Sequence, residues 1–149
     1  MKIAIGSDHG GFLYKEEIKK VFKDRCEFID VGAHKLEPTD NYAEYSILVG
    51  EAVKNKKAEL GIFICRTGVG AVVALNKVKG IRAGDLETVK GVTLAREKND
   101  INCLTFGADN ISIDKAIKIV DKFISTKFVG GRHIERLKVI ADYEEKHSK

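Results

Sequence analysis

Short apolar runs alternate along the chain with longer segments in which apolar residues recur every three or four positions. The short runs are typical of strands buried on both faces, and the longer segments are typical of amphipathic helices. We predict strands at residues 2–6, 27–31, 60–65, 81–83 and 102–106. We predict helices at residues 12–25, 42–55, 71–77, 87–98, 112–126 and 132–145.

The regular alternation of strands and helices predicts an α/β fold, a Rossmann-like three-layer sandwich around a five-stranded parallel sheet. In the first predicted helix an apolar stripe can form, with the Lys and Glu residues elsewhere; its members are Phe12, Ile18, Val21 and Phe22. No internal repeat or linker interrupts the pattern, so we expect a single domain over residues 1–149. The last predicted helix has no strand after it, which leaves it free to pack on a partner subunit.

The composition fits one globular domain, because 44% of the 149 residues are hydrophobic and 32% are charged. Uncharged apolar stretches such as residues 71–75 are too short to cross a bilayer. The N-terminal sequence MKIAIGSDHGG lacks the apolar segment of a secretory signal, so we expect a cytoplasmic protein. The net charge of +4 comes with lysines mixed among acidic residues. This pattern gives little support for nucleic-acid binding and is compatible with an anionic small substrate.

The three cysteines, Cys26, Cys65 and Cys103, are widely spaced and form no CxxC pair. A disulfide framework or a zinc site is therefore not indicated. We interpret Cys26 and Cys103 as small buried hydrophobic residues.

In a doubly wound parallel sheet, ligands bind beyond the carboxyl ends of the strands, and the sequence CRTGVG follows the third predicted strand there. Gly68 and Gly70 allow a tight turn whose N–H groups, from Thr67 onward, can cradle a phosphate or an oxyanion. Neither GxxxxGK[ST] nor GxGxxG occurs at this turn, so a nucleotide cofactor is not indicated.

Cys65 ends the strand directly before these N–H groups. The field that binds an anion also lowers the pKa of a thiol, so we expect a depressed pKa and a nucleophile or base at Cys65. The alternative is a buried cysteine that merely ends a strand.

Two other places hold candidate chemistry. His9 follows Asp8 in the first loop, where it is either functional or an ordinary surface residue. Arg132 and Arg136 lie one turn apart on the last predicted helix, which suits phosphate oxygens but also a solvated basic face. His34 and His147 lack helpful neighbours, and we take them as surface residues.

Taken together, these segments resemble one family, the type B ribose-5-phosphate isomerases and the related galactose-6-phosphate isomerase subunits. The resemblance covers nearly the whole chain and is carried by KIAIGSDHGG, EFIDVG, NYAEYSILVGEAV, GIFICRTGVGAVVALNKVKGIRA, REKNDINCLTFGA and FVGGRHIERLKVI.

The resemblance implies a role for each matching residue. Cys65 corresponds to the base that moves a proton between C1 and C2 of the open-chain sugar. The groups that stabilise the enediolate correspond to Thr67, Gly68, Val69 and Gly70. The residues that contact the sugar correspond to Asp8, Tyr42 and Asn99. The residues that hold the phosphate correspond to His9, Arg132 and Arg136.

The resemblance also implies an aldose–ketose isomerase, with ribose 5-phosphate and ribulose 5-phosphate as the leading pair. Such a reaction needs one base for two adjacent carbons and donors for the developing oxyanion, and no metal or redox cofactor is expected. The family's subunits pair and share their active sites, which implies a homodimer or a dimer of dimers here.

Two residues depart from the family's pattern. Arg66 stands where the family has glycine in CGTG, and it can narrow the pocket, add a cation beside the substrate or point to solvent. Lys98 stands where the ribose-5-phosphate isomerases carry a ring-opening histidine. Lysine normally keeps its proton at neutral pH, so either Lys98 is perturbed, another residue opens the ring, or the substrate needs no ring opening.

These departures leave alternatives open. The substrate can be a hexose 6-phosphate, such as that of galactose or allose, or a tetrose phosphate. The chain can also be a sugar-phosphate-binding protein without catalysis, or it can need a second related chain for activity.

Overall fold

Strands and helices alternate as predicted in the computed structural model, which describes residues 1–148. The strands are β1 Lys2–Ser7, β2 Glu27–Gly32, β3 Leu60–Cys65, β4 Ala83–Asp85 and β5 Cys103–Gly107. The helices are α1 Phe12–Val21, α2 Tyr42–Lys54, α3 Val69–Leu75, α4 Val89–Asn99, α5 Ile113–Ser125 and α6 His133–His147. A short 3₁₀ turn, His9–Gly11, precedes α1.

All five strands are parallel, in the order β2-β1-β3-β5-β4. The chain leaves β1 toward β2, returns across β1 to β3, and so reverses direction at the β1–β3 boundary. Because such crossovers are right-handed, the reversal places α1 on one face of the sheet and α2 and α3 on the other. Helices α1, α4 and α5 pack together on one face and α2 with α3 on the other. The predicted three-layer fold is confirmed.

The sheet is buried from both sides. Ile5, Ile62 and Leu104 point to the layer that contains α5, and Ala4 and Phe63 point to the layer that contains α2 and α3. Every residue of β3 is buried, which explains why its sequence is an uninterrupted apolar run. Each large aliphatic or aromatic side chain buried in this way contributes about 2 kcal/mol to folding.

Some predicted boundaries shift by a few residues. Helix α1 ends at Val21, because the chain turns at Phe22, whose carbonyl accepts the N–H groups of Arg25 and Cys26. Val21 is consequently exposed, while Phe22 enters the core. Strand β4 begins at Ala83, because the side chain of Asn76 binds both the N–H and the carbonyl of Ala83.

One lysine of α1 is buried, contrary to the expectation that the lysines lie away from the packed side. Lys15 is 0% exposed, and its Nζ donates to Asp30 Oδ1 at 2.9 Å and to the carbonyl of Ala33. Asp30 also accepts from Lys19 at 2.7 Å and from the N–H of Gly32 at 2.9 Å. Lys15 therefore joins α1 to the end of β2 and to the start of the following loop, residues 33–41.

Helix α6 lies at the surface with no buried residue. Its Glu144 accepts the N–H of Gly80 at 3.1 Å, and Glu145 pairs with Lys79 at 2.5 Å. Four large apolar side chains of this helix are more than half exposed: Ile134, Val139, Ile140 and Tyr143. Among residues 1–148, no helix combines the length and the apolar character that crossing a membrane requires.

Replacing Lys15 with alanine should lower the free energy of unfolding by about 3 kcal/mol, because Asp30 and the Ala33 carbonyl lose their shared buried donor. Urea unfolding followed by circular dichroism measures this change. Lys20→Ala, on the exposed side of the same helix, is the matched control and should change the free energy by less than about 0.5 kcal/mol. Equal stability of the two variants would contradict a structural role for Lys15.

Candidate active site

A pocket of about 310 Å³ lies at the carboxyl edge of the sheet, where β1 and β3 are neighbours. It is lined by Asp8, Tyr42, Cys65, Arg66, Thr67 and Gly70. Asp8 directly follows β1, and Cys65 is the last residue of β3. The loops after these two strands diverge because their helices go to opposite faces, and the divergence opens the pocket.

The Cys65 side chain lies at the floor of this pocket. The residue is only 5% exposed, and the N–H of Gly68 donates to its Sγ at 3.1 Å. The thiol is therefore buried and at the same time in contact with the cavity, which a sulfur enclosed by aliphatic packing would not be.

The expectation of a depressed thiol pKa is wrong. Burial raises the pKa of Cys65, and the nearby Asp8 carboxylate raises that pKa further, while the N–H groups of Gly68, Thr67 and Ala71 act in the opposite direction. Desolvation of a thiolate outweighs the backbone donors here. The resting group at neutral pH is a thiol, and the donors are aimed at the charge that appears when it loses its proton.

The turn after Cys65 has a backbone that requires glycine. Gly68 has φ +84°, and a Cβ there would collide with the carboxylate of Asp85. The carbonyl of Gly68 accepts a hydrogen bond from Thr105 Oγ1 at 3.0 Å, which fixes the turn to β5. Beside it, a Cβ on Gly70 would lie 2.5 Å from the Tyr42 ring. The turn and the tyrosine therefore form one continuous wall.

Thr67 is exposed at this wall, and its hydroxyl oxygen accepts one hydrogen bond from the backbone. Thr67 Oγ1 accepts the N–H of Val69 at 3.3 Å, which leaves its O–H free to donate. Tyr42 begins α2, whose N-cap is Asn41, with Asn41 Oδ1 accepting the N–H of Ala43 at 2.9 Å. These contacts hold both side chains at the mouth of the pocket.

Asp8 is buried next to the thiol. Its Oδ1 accepts the N–H of Gly11 at 3.2 Å, which caps the 3₁₀ turn, and burial raises the pKa of this carboxyl group. Like Cys65, Asp8 combines a buried position with an open side on the pocket. Two neighbouring groups with raised pKa values in a cleft are typical of a site that transfers protons.

His9 has a partner that the sequence did not reveal. Its Nδ1 lies 2.9 Å from Asp40 Oδ1, and its main-chain N–H donates to the same oxygen at 3.2 Å. Asp40 precedes a helix, a position that suggests an ordinary cap, but the cap is Asn41. Together with Asp8, these residues place donor atoms suitable for a metal ion within 4.8 Å of one another. Since Asp40 already engages Nδ1, we interpret the group as a hydrogen-bonded cluster.

Arg66 forms part of the pocket wall, and its guanidinium reaches outward. Its side chain is 61% exposed, and Nη1 lies 3.6 Å from Asp109 Oδ2 in the loop after β5. The stem of Arg66 packs over Gly10, where a Cβ would collide with Arg66 Cγ. Of the three predicted possibilities, Arg66 therefore both narrows the pocket and extends its charged end toward solvent.

The remaining predicted site residues form a second group elsewhere on the chain. Lys98 and Asn99 end α4, and Arg132 and Arg136 lie at the start of α6. All four are exposed and none lines the pocket that contains Cys65.

The charged side chains of this second group lie close enough to act on the same histidine. Desolvation and the positive charges of Arg132, Arg136 and Lys98 lower the pKa of the partly exposed His133. Asn99 lines a different cavity, of about 910 Å³, between α6 and the end of the sheet. Within one chain, the structure therefore brings together the residues near Cys65 and, separately, the cationic residues.

A buried arginine holds the second group in place. Arg96 Nε donates to the carbonyl of Thr126 at 3.1 Å, and its Nη1 lies 3.3 Å from Asp100 Oδ1. Arg82 binds the other oxygen of Asp100 at 3.2 Å. Burial lowers the pKa of Arg96, although the adjacent Asp100 carboxylate opposes this shift. Sequence reasoning missed this network, since Arg96 looks like any polar residue of an amphipathic helix.

The fold and the pocket define an α/β protein with a candidate small-molecule site at the point where strand order reverses, lined by two buried groups with raised pKa values. The sequence profile of the Ribose/Galactose Isomerase family matches residues 3–140. The chain is 39% identical to ribose-5-phosphate isomerase B of Escherichia coli over 148 residues, which is 99% of both chains.

Solved structures give the same result. Ribose-5-phosphate isomerase B of Clostridium thermocellum has a TM-score of 0.96 and 43% identity, covering 99% of this chain and 100% of that chain. The Mycoplasma genitalium enzyme, with bound ribulose 5-phosphate, has a TM-score of 0.93 and 37% identity, covering 97% of both chains. The chain belongs to the ribose/galactose isomerase family. It is an aldose–ketose isomerase.

The raised pKa of Cys65 should be visible in its reactivity. Because only the thiolate reacts, alkylation of Cys65 by iodoacetamide should be slower at pH 7 than that of a free cysteine. Its rate should keep rising above pH 9, where the rate of an unperturbed thiol levels off. Mass spectrometry of the labelled peptide separates Cys65 from Cys26 and Cys103, and glutathione is the reference thiol. A plateau below pH 8 would show that the backbone donors dominate.

Proposed function

We propose that the chain interconverts ribose 5-phosphate and ribulose 5-phosphate through a cis-enediolate, with Cys65 as the base. The observation that carries this proposal is the position of the Cys65 sulfur, on the floor of a pocket with a backbone N–H bonded to it and a carboxyl group beside it. Relatives named ribose-5-phosphate isomerase B, one of them with bound ribulose 5-phosphate, support the choice of substrate.

The chemistry needs one group that reaches two adjacent carbons. The Cys65 thiolate takes the proton from C2 of the open-chain aldose, and the resulting thiol returns it to C1 of the enediolate. A base with a raised pKa binds the carbon-derived proton more strongly, and the Gly68 N–H stabilises the thiolate between turnovers. The cost is that a smaller fraction of the enzyme carries a thiolate at neutral pH.

The negative charge on the substrate oxygen also needs donors. The free O–H of Thr67 and the N–H groups of the turn through Val69 and Gly70 are the donors that we propose for it. The Asp8 carboxyl group and Tyr42, which also line the pocket, bind the sugar hydroxyls. Because fixed donors supply this stabilisation, we propose a reaction without a metal ion, and a chelator should leave the rate unchanged.

We propose that a second copy of the chain completes the site. Residues Lys98, Asn99, Arg132 and Arg136 lie outside the pocket of their own chain, while Ile134, Val139, Ile140 and Tyr143 expose an apolar surface on the adjoining helix α6. Exposed apolar surface of this kind is typical of subunit interfaces. A two-fold homodimer brings the arginines of one subunit to the phosphate of a sugar held at Cys65 of the other.

Mixing two variants that are inactive at low substrate concentration tests both the base and the shared site. Cys65→Ala should abolish turnover, and Arg132→Ala should raise KM so strongly that little turnover remains at low substrate concentration. If the sites are shared, a mixed dimer has one site with both native residues. Random exchange of subunits should then restore roughly a quarter of wild-type activity.

Each variant incubated alone under the same conditions is the control for this recovery. Turnover by Cys65→Ala alone would refute the proposed base. Inactive variants that recover nothing after confirmed subunit exchange would place each complete site within one chain.

A different sugar phosphate is the second candidate, and two observations favour it. Arg66 narrows the pocket, and the exposed Lys98 stands where a ring-opening histidine is expected. A comparison of kcat/KM for sugar phosphates of four to six carbons should show an optimum at ribose 5-phosphate under the first proposal. An optimum at a tetrose phosphate or at a hexose 6-phosphate would replace that substrate and leave the reaction type in place.

A further inference from the structure

The contact between His9 and Asp40 joins two loops that are 31 residues apart. Both the ring Nδ1 and the main-chain N–H of His9 point to a single oxygen, Asp40 Oδ1, at 2.9 and 3.2 Å. The Asp40 side chain is only 4% exposed, while that of His9 is 26% exposed. The Asp40 carboxylate is therefore buried beneath the His9 imidazole, and part of the imidazole remains exposed.

Neither helix capping nor a hydrogen bond within its loop explains why the Asp40 side chain is buried. The adjacent Asn41 caps α2, and the N–H of Asp40 is bound by the Glu37 carbonyl within the loop. Its second oxygen, Oδ2, is buried and has no hydrogen-bond partner among residues 1–148. Burying a carboxylate is costly unless it is paired, and the partner that the structure provides is His9.

This contact decides which ring nitrogen carries hydrogen. A carboxylate oxygen can only accept, so Nδ1 of His9 is the protonated nitrogen and Nε2 is the one left for a ligand. The charged groups next to the imidazole are the carboxylates of Asp40 and Asp8. With Nδ1 donating to Asp40, Nε2 can donate to an anion only when the ring carries both protons, and the Asp40 carboxylate is then the charge that balances the ring.

We propose that Asp40 is a positioning residue for His9: its carboxylate fixes the imidazole so that Nε2 donates to the phosphate group of the substrate. The identity of the ligand rests on the proposed function, whereas the effect of Asp40 on the ring of His9 does not. Without this contact the imidazole would rotate and would lose the carboxylate that balances its charge when both nitrogens donate, so the pair prepares the ring before substrate arrives.

The first experiment measures steady-state kinetics with ribose 5-phosphate. Asp40→Asn keeps the size of the side chain and removes its charge, so KM should rise about tenfold with kcat nearly unchanged. Glu37→Gln is the matched control, because Glu37 lies in the same loop and, within residues 1–148, its side chain bonds only to Thr39. It should leave both constants unchanged. An unaltered KM in Asp40→Asn would overturn the proposal.

A double variant separates positioning from a merely structural role. His9→Asn retains a donor for Asp40 and removes Nε2, so its own KM should rise at least as much as that of Asp40→Asn. Adding Asp40→Asn to His9→Asn should then cost nothing further. Full additivity of the two losses would show that Asp40 acts by another route.

Nitrogen-15 NMR of the His9 ring provides a readout that needs no turnover. The wild-type spectrum should show a protonated Nδ1, and Asp40→Asn should shift the population toward the Nε2–H tautomer. Identical ring spectra in the two proteins would overturn the proposal. If no sugar phosphate is converted, the proposed function fails, and this comparison still decides whether Asp40 controls the ring of His9.

Discussion

The reversal of strand order between β1 and β3 is the constraint on which the rest of the site depends. Because α1 and the helices α2 and α3 must cover opposite faces, the loops that follow β1 and β3 diverge at the carboxyl edge. The gap between them is the pocket, and the last residue of β3 becomes its floor. A cysteine at that position is buried by the sheet and still faces the ligand.

The same position creates a conflict at the sulfur. Burial disfavours the thiolate, and the N–H groups of the following turn favour it, with burial the larger effect. Gly68 is needed because only its left-handed backbone conformation directs an amide at the sulfur while its carbonyl reaches Thr105. The outcome suits a base that must hold a proton taken from carbon, since a strongly depressed pKa would weaken that hold.

Buried charged side chains hold the loops around the site in place through hydrogen bonds, where apolar packing does not. Lys15 binds the start of the loop after β2, and the pair of His9 and Asp40 binds its end to the loop after β1. Arg96 does the same where α4 meets the segment that leads to α6, through its bond to the carbonyl of Thr126. In each case a charged group joins segments that are distant in the chain, so removing its partner would leave a largely buried group unpaired.

The sequence by itself determined the α/β class, the order of the strands and helices, and the residues at the ends of β1 and β3, since these follow from local apolar periodicity and turn-forming glycines. Only the tertiary structure decided the direction of the Cys65 pKa shift, the burial of Lys15 and the partnership of His9 with Asp40. Each of these depends on groups far apart in the chain, and neither periodicity nor motif spacing contains information about how deeply such groups are buried.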